Sequence, residues 1–218
     1  MNSAIRWRII SLQAAIVIVL AAAAGFAFYE GNFVTGYVKD QLTAQQIYFP
    51  PADQIKAGGA LDPAEFPAEI RSQAGNQITT GEQARIYAND FIAKHLKTTA
   101  GGLTYATIGT KISAANAQLS AASKTDPNYA TLQAQVTTLN GQRDTLFKGE
   151  MLRGTLLNSW GWWTLGMYAT YAGIGLLIAA LGVFGALVFE LFVAARKTET
   201  YKAKSQVAAP ARGGQLPA

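Results

Sequence analysis

Few side chains in this sequence could do chemistry, and the first to consider is His95, the only histidine of the chain. A free imidazole titrates near pH 6.5, which suits a general base or a pH sensor. His95 instead falls on the apolar stripe of a predicted helix, with no acid, nucleophile or second ligand close to it in sequence. The chain also has no cysteine, which excludes disulfides, thiol nucleophiles and thiolate metal sites. We therefore expect His95 to be structural.

Four acidic residues lie close together in a proline-rich segment, and carboxylate oxygens are ligands that Ca²⁺ prefers. They are Asp53, Asp62, Glu65 and Glu69. Because they lack the alternating spacing of a recognised calcium loop, we expect no bound metal and no cofactor. Phosphate-binding glycine loops, serine-nucleophile elbows and paired catalytic carboxylates are also absent by pattern. The sequence therefore predicts a protein that is not an enzyme.

Glu190 is the only acidic residue near the core of a predicted membrane span. A carboxylate deep within a span would suggest a path for protons or ions. Glu190 lies at the predicted inner edge, where Arg196 or Lys197 can reach it. We expect either snorkelling of the Glu190 side chain towards water or an interfacial ion pair with one of these two residues.

Two uncharged stretches are long enough to cross a bilayer, which takes about 20 apolar residues in a helix. The second covers residues 154–189, and we place its span at residues 160–193. The first covers residues 9–29 and fits either a cleavable signal peptide or an uncleaved signal anchor, of which we expect the anchor. Aromatic rings that favour the boundary between water and lipid mark the outer ends. These predicted belt residues are Tyr29, Tyr37, Trp160, Trp162 and Trp163.

The net charge of +5 resides in the two tails. Residues 30–158 carry equal numbers of basic and acidic side chains, so this charge does not indicate a nucleic-acid surface. Basic residues that flank membrane spans stay on the cytoplasmic side. We therefore expect a plasma-membrane protein with residues 1–8 and 194–218 in the cytoplasm and residues 30–159 outside. Residues 194–218 are predicted to be disordered.

The expected fold class is all-α, because the apolar spacing is helical and no strand pattern is found. The first helix is predicted to project beyond the membrane to about residue 46, and an irregular segment then follows to residue 78. That segment fits either a lid over the helices or a clamp for a partner. Residues 104–123 and 128–153 are predicted to form an antiparallel hairpin. The apolar stripe of its second helix is Leu132, Val136, Leu139, Leu146 and Leu152.

A further helix, from residue 79 to about residue 98, is predicted to begin at a capping box in which Thr79 pairs with Glu82. It should end at the two glycines 101 and 102. Its predicted apolar stripe consists of Ala84, Tyr87, Ala88, Phe91 and His95.

Small residues recur at four-residue steps in the second span, and small side chains let helix backbones approach closely in lipid. One stripe is Gly175, Ala179, Gly182 and Ala186, a neighbouring one is Gly166, Ala169 and Gly173, and the first span offers Ala21 and Gly25. The stripes either meet each other or leave one face of the second span for another subunit. We expect the first stripe, together with Ala21 and Gly25, to bind a helix of another membrane subunit.

Several short runs form a pattern that covers most of residues 1–195. They are Asp40-Gln41-Leu42, Ile47-Tyr48-Phe49-Pro50-Pro51, Tyr87-Ala88, Phe91-Ile92, His95-Leu96, Gly101-Gly102-Leu103-Thr104-Tyr105 and Gly149-Glu150-Met151-Leu152-Arg153-Gly154, followed by Trp162-Trp163. In these runs the chain resembles two-span membrane proteins of high-GC Gram-positive bacteria. The resemblance supports the two-span topology and implies no particular activity.

The sequence favours a non-catalytic accessory or scaffold subunit of a larger cell-envelope complex, with a respiratory or other energy-transducing complex as one candidate. The spare small-residue stripe and the missing catalytic motifs carry this hypothesis. The alternative is a two-span sensor that binds an envelope ligand through its outer domain, although only a short tail follows the second span in this sequence. A hydrolytic enzyme is disfavoured by the absence of cysteine and the lone histidine.

Overall fold

The computed structural model describes residues 3–207, and this part of the chain is all-helical, as predicted. Side chains are described for residues 4–196 and for Glu199. The α-helices are α1 (Ser3–Ala44), α2 (Ala68–Arg71), α3 (Gly81–Ile86), α4 (Ala93–Thr99), α5 (Tyr105–Ala121) and α6 (Tyr129–Val207). A 3₁₀ turn covers Ala52–Gln54, and a π-helix, Tyr87–Ile92, joins α3 to α4. Strand-like pairing in residues 3–207 is limited to one isolated bridge between Tyr48 and Gln77.

Two of these helices, α1 and α6, are long and apolar enough to cross a membrane. Only 11% of the most apolar window of α1 and 6% of that of α6 is buried. The chain divides into two compact units. The first unit contains α1 up to Glu30 and α6 from Ala169 onwards, and the second unit is Gly31–Tyr168.

The hydrophobic core of the second unit draws heavily on the segment that joins α1 to α3. Five of its side chains are buried: Phe49, Leu61, Phe66, Ile70 and Ile78. They pack with Val38 and Leu42 of α1 and with residues from all the later helices of the unit. The predicted irregular segment is therefore an integral part of this core. Burial of each large aliphatic or aromatic side chain contributes about 1.5–3 kcal/mol.

The capping box of α3 lies one residue later than predicted. Thr80 is the N-cap, and its hydroxyl accepts a hydrogen bond from the backbone N–H of Gln83 at 3.2 Å. The Gln83 side chain accepts in return from the backbone N–H groups of Thr79 and Thr80. Glu82, the predicted partner, pairs with Arg85 instead. Both candidate pairs fit the same sequence spacing, and the extended backbone of Thr80 selects the second.

The π-helix changes which residues of the predicted helix face the core. A π-turn holds about one residue more than an α-turn, so it rotates everything that follows. Ala84 and Ala88 are buried as predicted, but beyond them the buried residues are Ile92 and Leu96. His95 is exposed and lies outside the apolar stripe, so its predicted place on that stripe is wrong. The glycines at which this helix was predicted to end do take left-handed φ values, 61° at Gly101 and 85° at Gly102.

α5 and the first part of α6 are joined by a short turn near Asp126. α5 starts at a capping box between Thr104 and Thr107 and buries Ile108, Ile112 and Ala115. The ring of Tyr105, at the start of α5, lies 5.4 Å from that of Phe147 in α6. This contact joins residues far apart in sequence, as the predicted antiparallel hairpin requires.

α6 differs from the prediction in two ways. Leu146 is buried, but Leu152 is 41% exposed and so does not continue the predicted stripe. α6 also remains helical to Val207, so residues 194–207 are not disordered as predicted. The rest of the predicted tail, residues 208–218, lies outside the described residues.

Candidate functional site

In the first unit, α1 and α6 pack through small residues. A Cβ atom added to Gly173 would lie 3.3 Å from the carbonyl oxygen of Ala24 and from the ring of Phe28. Ala24 and Ala180 are only 2% and 4% exposed. Because Gly173 and Ala180 are two helical turns apart, they lie on one side of α6. That side is the one on which α6 meets α1 within this unit.

An ion pair joins the two helices at one end of the same unit. The Nε atom of Arg6 lies 3.3 Å from an Oε atom of Glu190, and both side chains are largely shielded from solvent. Glu190 was predicted to snorkel towards water or to pair with Arg196 or Lys197. Arg196 instead lies over the ring of Phe192, 4.4 Å from its centroid, and the side chain of Lys197 is outside the described set. The partner of Glu190 comes from the far end of the chain because α1 runs antiparallel to α6 here.

The stripe predicted to bind a partner lies on nearly the opposite side of α6. At 100° per residue, Gly175 and Gly182 point away from the side marked by Gly173 and Ala180. All four stripe residues are exposed: Gly175, Ala179, Gly182 and Ala186. No described atom outside the helix itself lies within 4 Å of a Cβ added to Gly175 or Gly182.

The predicted docking residues of α1 are exposed as well. Ala21 and Gly25 both face outward, and a Cβ added to Gly25 would meet no described atom within 4 Å. Ala24, one residue away from Gly25, takes the packing role. The structure therefore leaves all six predicted docking residues open.

Large apolar side chains flank the open stripe. At 100° per residue, the exposed ones nearest to it include Ile178 and Phe189, with Ile174 further round the helix. Soluble monomeric proteins rarely expose contiguous apolar patches of more than a few hundred Å². An exposed apolar surface of this kind is typical of sites that contact lipid or another protein.

Four of the five predicted belt residues are exposed, and the fifth is not. Tyr29, Tyr37, Trp160 and Trp162 are between 37% and 66% exposed. Trp163 is only partly exposed and packs against the core of the second unit. A Cβ added to Gly81 would lie 2.3 Å from the Cβ of Trp163, so only glycine fits at the start of α3. Trp163 thus contacts the helical domain and departs from the belt prediction.

His95 takes part in an aromatic cluster. Its ring lies 4.3 Å from that of Phe91, and Nδ1 is 2.8 Å from the carbonyl oxygen of Phe91. The ring of Phe66 lies 6.1 Å from that of Phe91 and 6.2 Å from that of His95, and the Lys94 ammonium is 4.4 Å from the Phe66 ring centroid. These contacts agree with the structural role expected for His95.

The acidic residues of the joining segment pair with protein groups. Asp62 accepts hydrogen bonds from the backbone N–H groups of Gly58 at 2.7 Å and Ala64 at 2.8 Å, which lower the pKa of its carboxyl group. Glu65 pairs with Lys94, and Glu69 with Arg85. Within the described residues, no three acidic or histidine side chains come together as a metal site would require.

Asp90 is a polar feature that the sequence analysis missed. It lies in the π-helix, where burial raises the pKa of its carboxyl group and the negative charge of Glu69 raises it further. Arg85 acts in the opposite direction. One carboxylate oxygen of Asp90 is buried without a hydrogen-bond partner in the described structure. Asp90 lies within the π-turn, which the sequence analysis did not predict.

A groove lies between α1 and α6 within the second unit. Its volume is about 430 Å³. It is lined by Phe33, Val34, Tyr37, Val38, Gln41, Asn158, Ser159 and Trp162. None of these residues is charged, and two of them, Tyr37 and Trp162, are predicted belt residues.

Comparisons of the chain with protein-family models, with curated proteins and with solved structures give no match.

Proposed function

We propose that this protein is a two-span membrane protein that serves as a non-catalytic accessory or scaffold subunit of a larger cell-envelope complex. A respiratory or other energy-transducing complex is a candidate. The observation that carries the proposal is the open stripe of Gly175, Ala179, Gly182 and Ala186, which lies away from the side of α6 that meets α1.

Membrane insertion is supported by the exposure of the apolar windows of α1 and α6. A core helix of a soluble protein would bury such a window, whereas these windows are 11% and 6% buried. A cleaved signal peptide would not explain why Ala24 and Phe28 pack against Gly173. The basic flanks favour cytoplasmic termini. The central helical region is then outside the cell.

Docking through the stripe is supported by the physics of helix association in lipid. Apolar side chains gain little by leaving lipid for a protein surface, so close backbone packing becomes a main source of attraction. Small residues permit that approach, and the stripe presents four of them in about three turns. The α1 contact uses the same kind of packing on the other side of α6.

A sensor remains the second candidate because α6 is continuous. One helix, Tyr129–Val207, carries the hairpin contact at Phe147, the apolar window and the basic end. A displacement at its outer part could therefore reach the other end without crossing a loop. A sensor of this kind would bind its ligand through the outer helices and would purify alone.

The test is purification of the full chain in mild detergent with identification of the proteins that co-purify. The double variant Gly175→Ile with Gly182→Ile keeps the helix apolar but holds a neighbouring backbone away. Loss of about 1–2 kcal/mol of packing would reduce the co-purified partner about tenfold.

The matched control is Leu181→Ile with Val188→Ile, which places isoleucine at two exposed positions on another side of α6. It should retain the partner. If the stripe variant inserts and retains the same partners in the same ratio, the scaffold proposal fails. A solitary, monodisperse wild-type protein would favour the sensor.

A further inference from the structure

The groove between α1 and α6 has an apolar end and a polar end. An added Cβ at Gly166 of α6 would lie 2.9 Å from the side chain of Thr35 and 3.1 Å from the Gly31 carbonyl oxygen. This contact fixes the antiparallel register of the two helices at the edge of the second unit. Of the groove residues, Phe33 and Val34 lie nearest to this contact at the apolar end. Gln41 of α1 and Asn158 of α6 lie furthest from it, at the polar end.

The polar end offers uncharged hydrogen-bonding groups. Gln41 and Asn158 have exposed side-chain amides that make no hydrogen bond within the described residues. The hydroxyl of Ser159 donates to the Thr155 carbonyl oxygen at 3.1 Å and can still accept a hydrogen bond. No lysine or arginine lines the groove. The lining therefore suits a neutral polar group and does not select for negative charge.

The sequence position of the groove matches the boundary of a bilayer. Its α6 wall lies in the uncharged stretch 154–189, whereas its α1 wall follows Glu30 and ends beside Lys39 and Asp40. Tyr37 and Trp162 are 59% and 54% exposed, and such rings favour the headgroup level. A lipid presents an apolar chain and neutral ester groups at this level. The volume of about 430 Å³ is within the range of small-molecule sites, about 300–1,000 Å³.

We propose that this groove binds one phospholipid molecule. The upper part of an acyl chain lies along Phe33, Val34 and Trp162, and the amides of Gln41 and Asn158 hydrogen-bond to the ester oxygens. Because recognition involves the ester region, the groove binds zwitterionic and anionic phospholipids equally well. The inference rests on the membrane insertion proposed above but does not depend on the partner stripe.

Native mass spectrometry of the full chain in mild detergent tests this proposal. Palmitoyl-oleoyl phosphatidylcholine and the matching phosphatidylglycerol are added separately as probes. The wild type should retain one molecule of either lipid. Val34→Trp fills the groove and should reduce the retained lipid at least tenfold. Asn32→Trp places the same ring on an exposed side of α1 and should leave retention unchanged.

A second variant removes the polar end without adding bulk. Gln41→Leu with Asn158→Leu should weaken retention several-fold while the helix content stays that of the wild type. Equal retention by wild type and Val34→Trp would overturn the proposal, as would a strong preference for phosphatidylglycerol. A dimer that Val34→Trp dissociates would show that a second copy occupies the groove instead.

Membrane insertion is checked separately by alkaline carbonate extraction of membranes. Release of the wild type into the soluble fraction would contradict the two-span proposal itself. If all variants stay in the membrane and lipid retention does not follow the groove, only the lipid inference fails.

Discussion

At the scale of single residues, two aspartates of the second unit carry pKa shifts of opposite sign. The ionised form of Asp62 accepts two backbone hydrogen bonds, so its pKa is lowered from the ordinary 3.8. Asp90 is partly buried and faces the charge of Glu69, so its pKa is raised from 3.8. Ionisation therefore stabilises the fold at Asp62 and destabilises it at Asp90.

Replacing each aspartate by asparagine should change stability in opposite directions at pH 7. Asp62→Asn should lower the midpoint of thermal unfolding of the full chain in detergent, and Asp90→Asn should raise it. The Asp62 contribution is present above pH 3.8 and is lost as the pH falls through its lowered folded pKa. The Asp90 penalty is present above its raised folded pKa and disappears as the pH falls below 3.8.

Both variants should therefore approach the wild type in acid, so each serves as the control for the other. The assigned environments would be contradicted if both variants shifted the unfolding midpoint in the same direction at pH 7. They would also be contradicted if the shifts in the midpoint persisted unchanged at low pH.

At the scale of helices, Leu146 and Leu152 provide a test of how α6 packs. Leu146 is 2% exposed and belongs to the core, whereas Leu152, less than two turns later, is 41% exposed. Leu146→Ala should cost about 2–5 kcal/mol because it leaves a cavity. Leu152→Ala should cost less than about 1 kcal/mol. The measurement is denaturant unfolding of the full chain in mixed micelles, followed by circular dichroism. Equal losses would contradict the placement of this part of α6.

Much of the helical layout could be predicted from the sequence because it depends on local signals. The end of α1 near residue 46, the start of α5 at Thr104 and the length of the uncharged stretch of α6 all follow from spacing and caps. The π-turn could not be predicted, because the spacing of apolar residues in this segment also fits a regular α-helix. The pairing of Glu190 with Arg6 was missed because the two residues lie near opposite ends of the chain.

The candidate docking site was only partly predictable. Both small-residue stripes of α6 are visible in the sequence, but the sequence does not say which one meets α1. The structure assigns that role to the side of Gly173 and leaves Gly175 open. Trp163 shows a different kind of miss. Its residue type predicts a belt residue, but its contact with Gly81 makes it part of the helical second unit.

At the scale of the whole molecule, the proposed topology can be tested because the natural chain has no cysteine. Single cysteines at Lys111, exposed on α5, and at Ser205, in the basic end of the chain, provide two unique labelling sites. A membrane-impermeant maleimide should label Lys111→Cys in intact cells but not Ser205→Cys. Detergent permeabilisation should make both labels equal. Labelling of Ser205→Cys in intact cells would reverse the proposed orientation.

The π-helix also determines how this chain tolerates insertions and deletions. The segment from Gly81 to Thr99 contains, in effect, one residue more than a regular helix needs. Deleting Asn89, which is exposed, would allow an uninterrupted α-helix with better local hydrogen bonding. The same deletion would turn Ile92 and Leu96 by about 100° away from the core they now fill. Related chains of different length in this segment should therefore also differ in which residues are apolar.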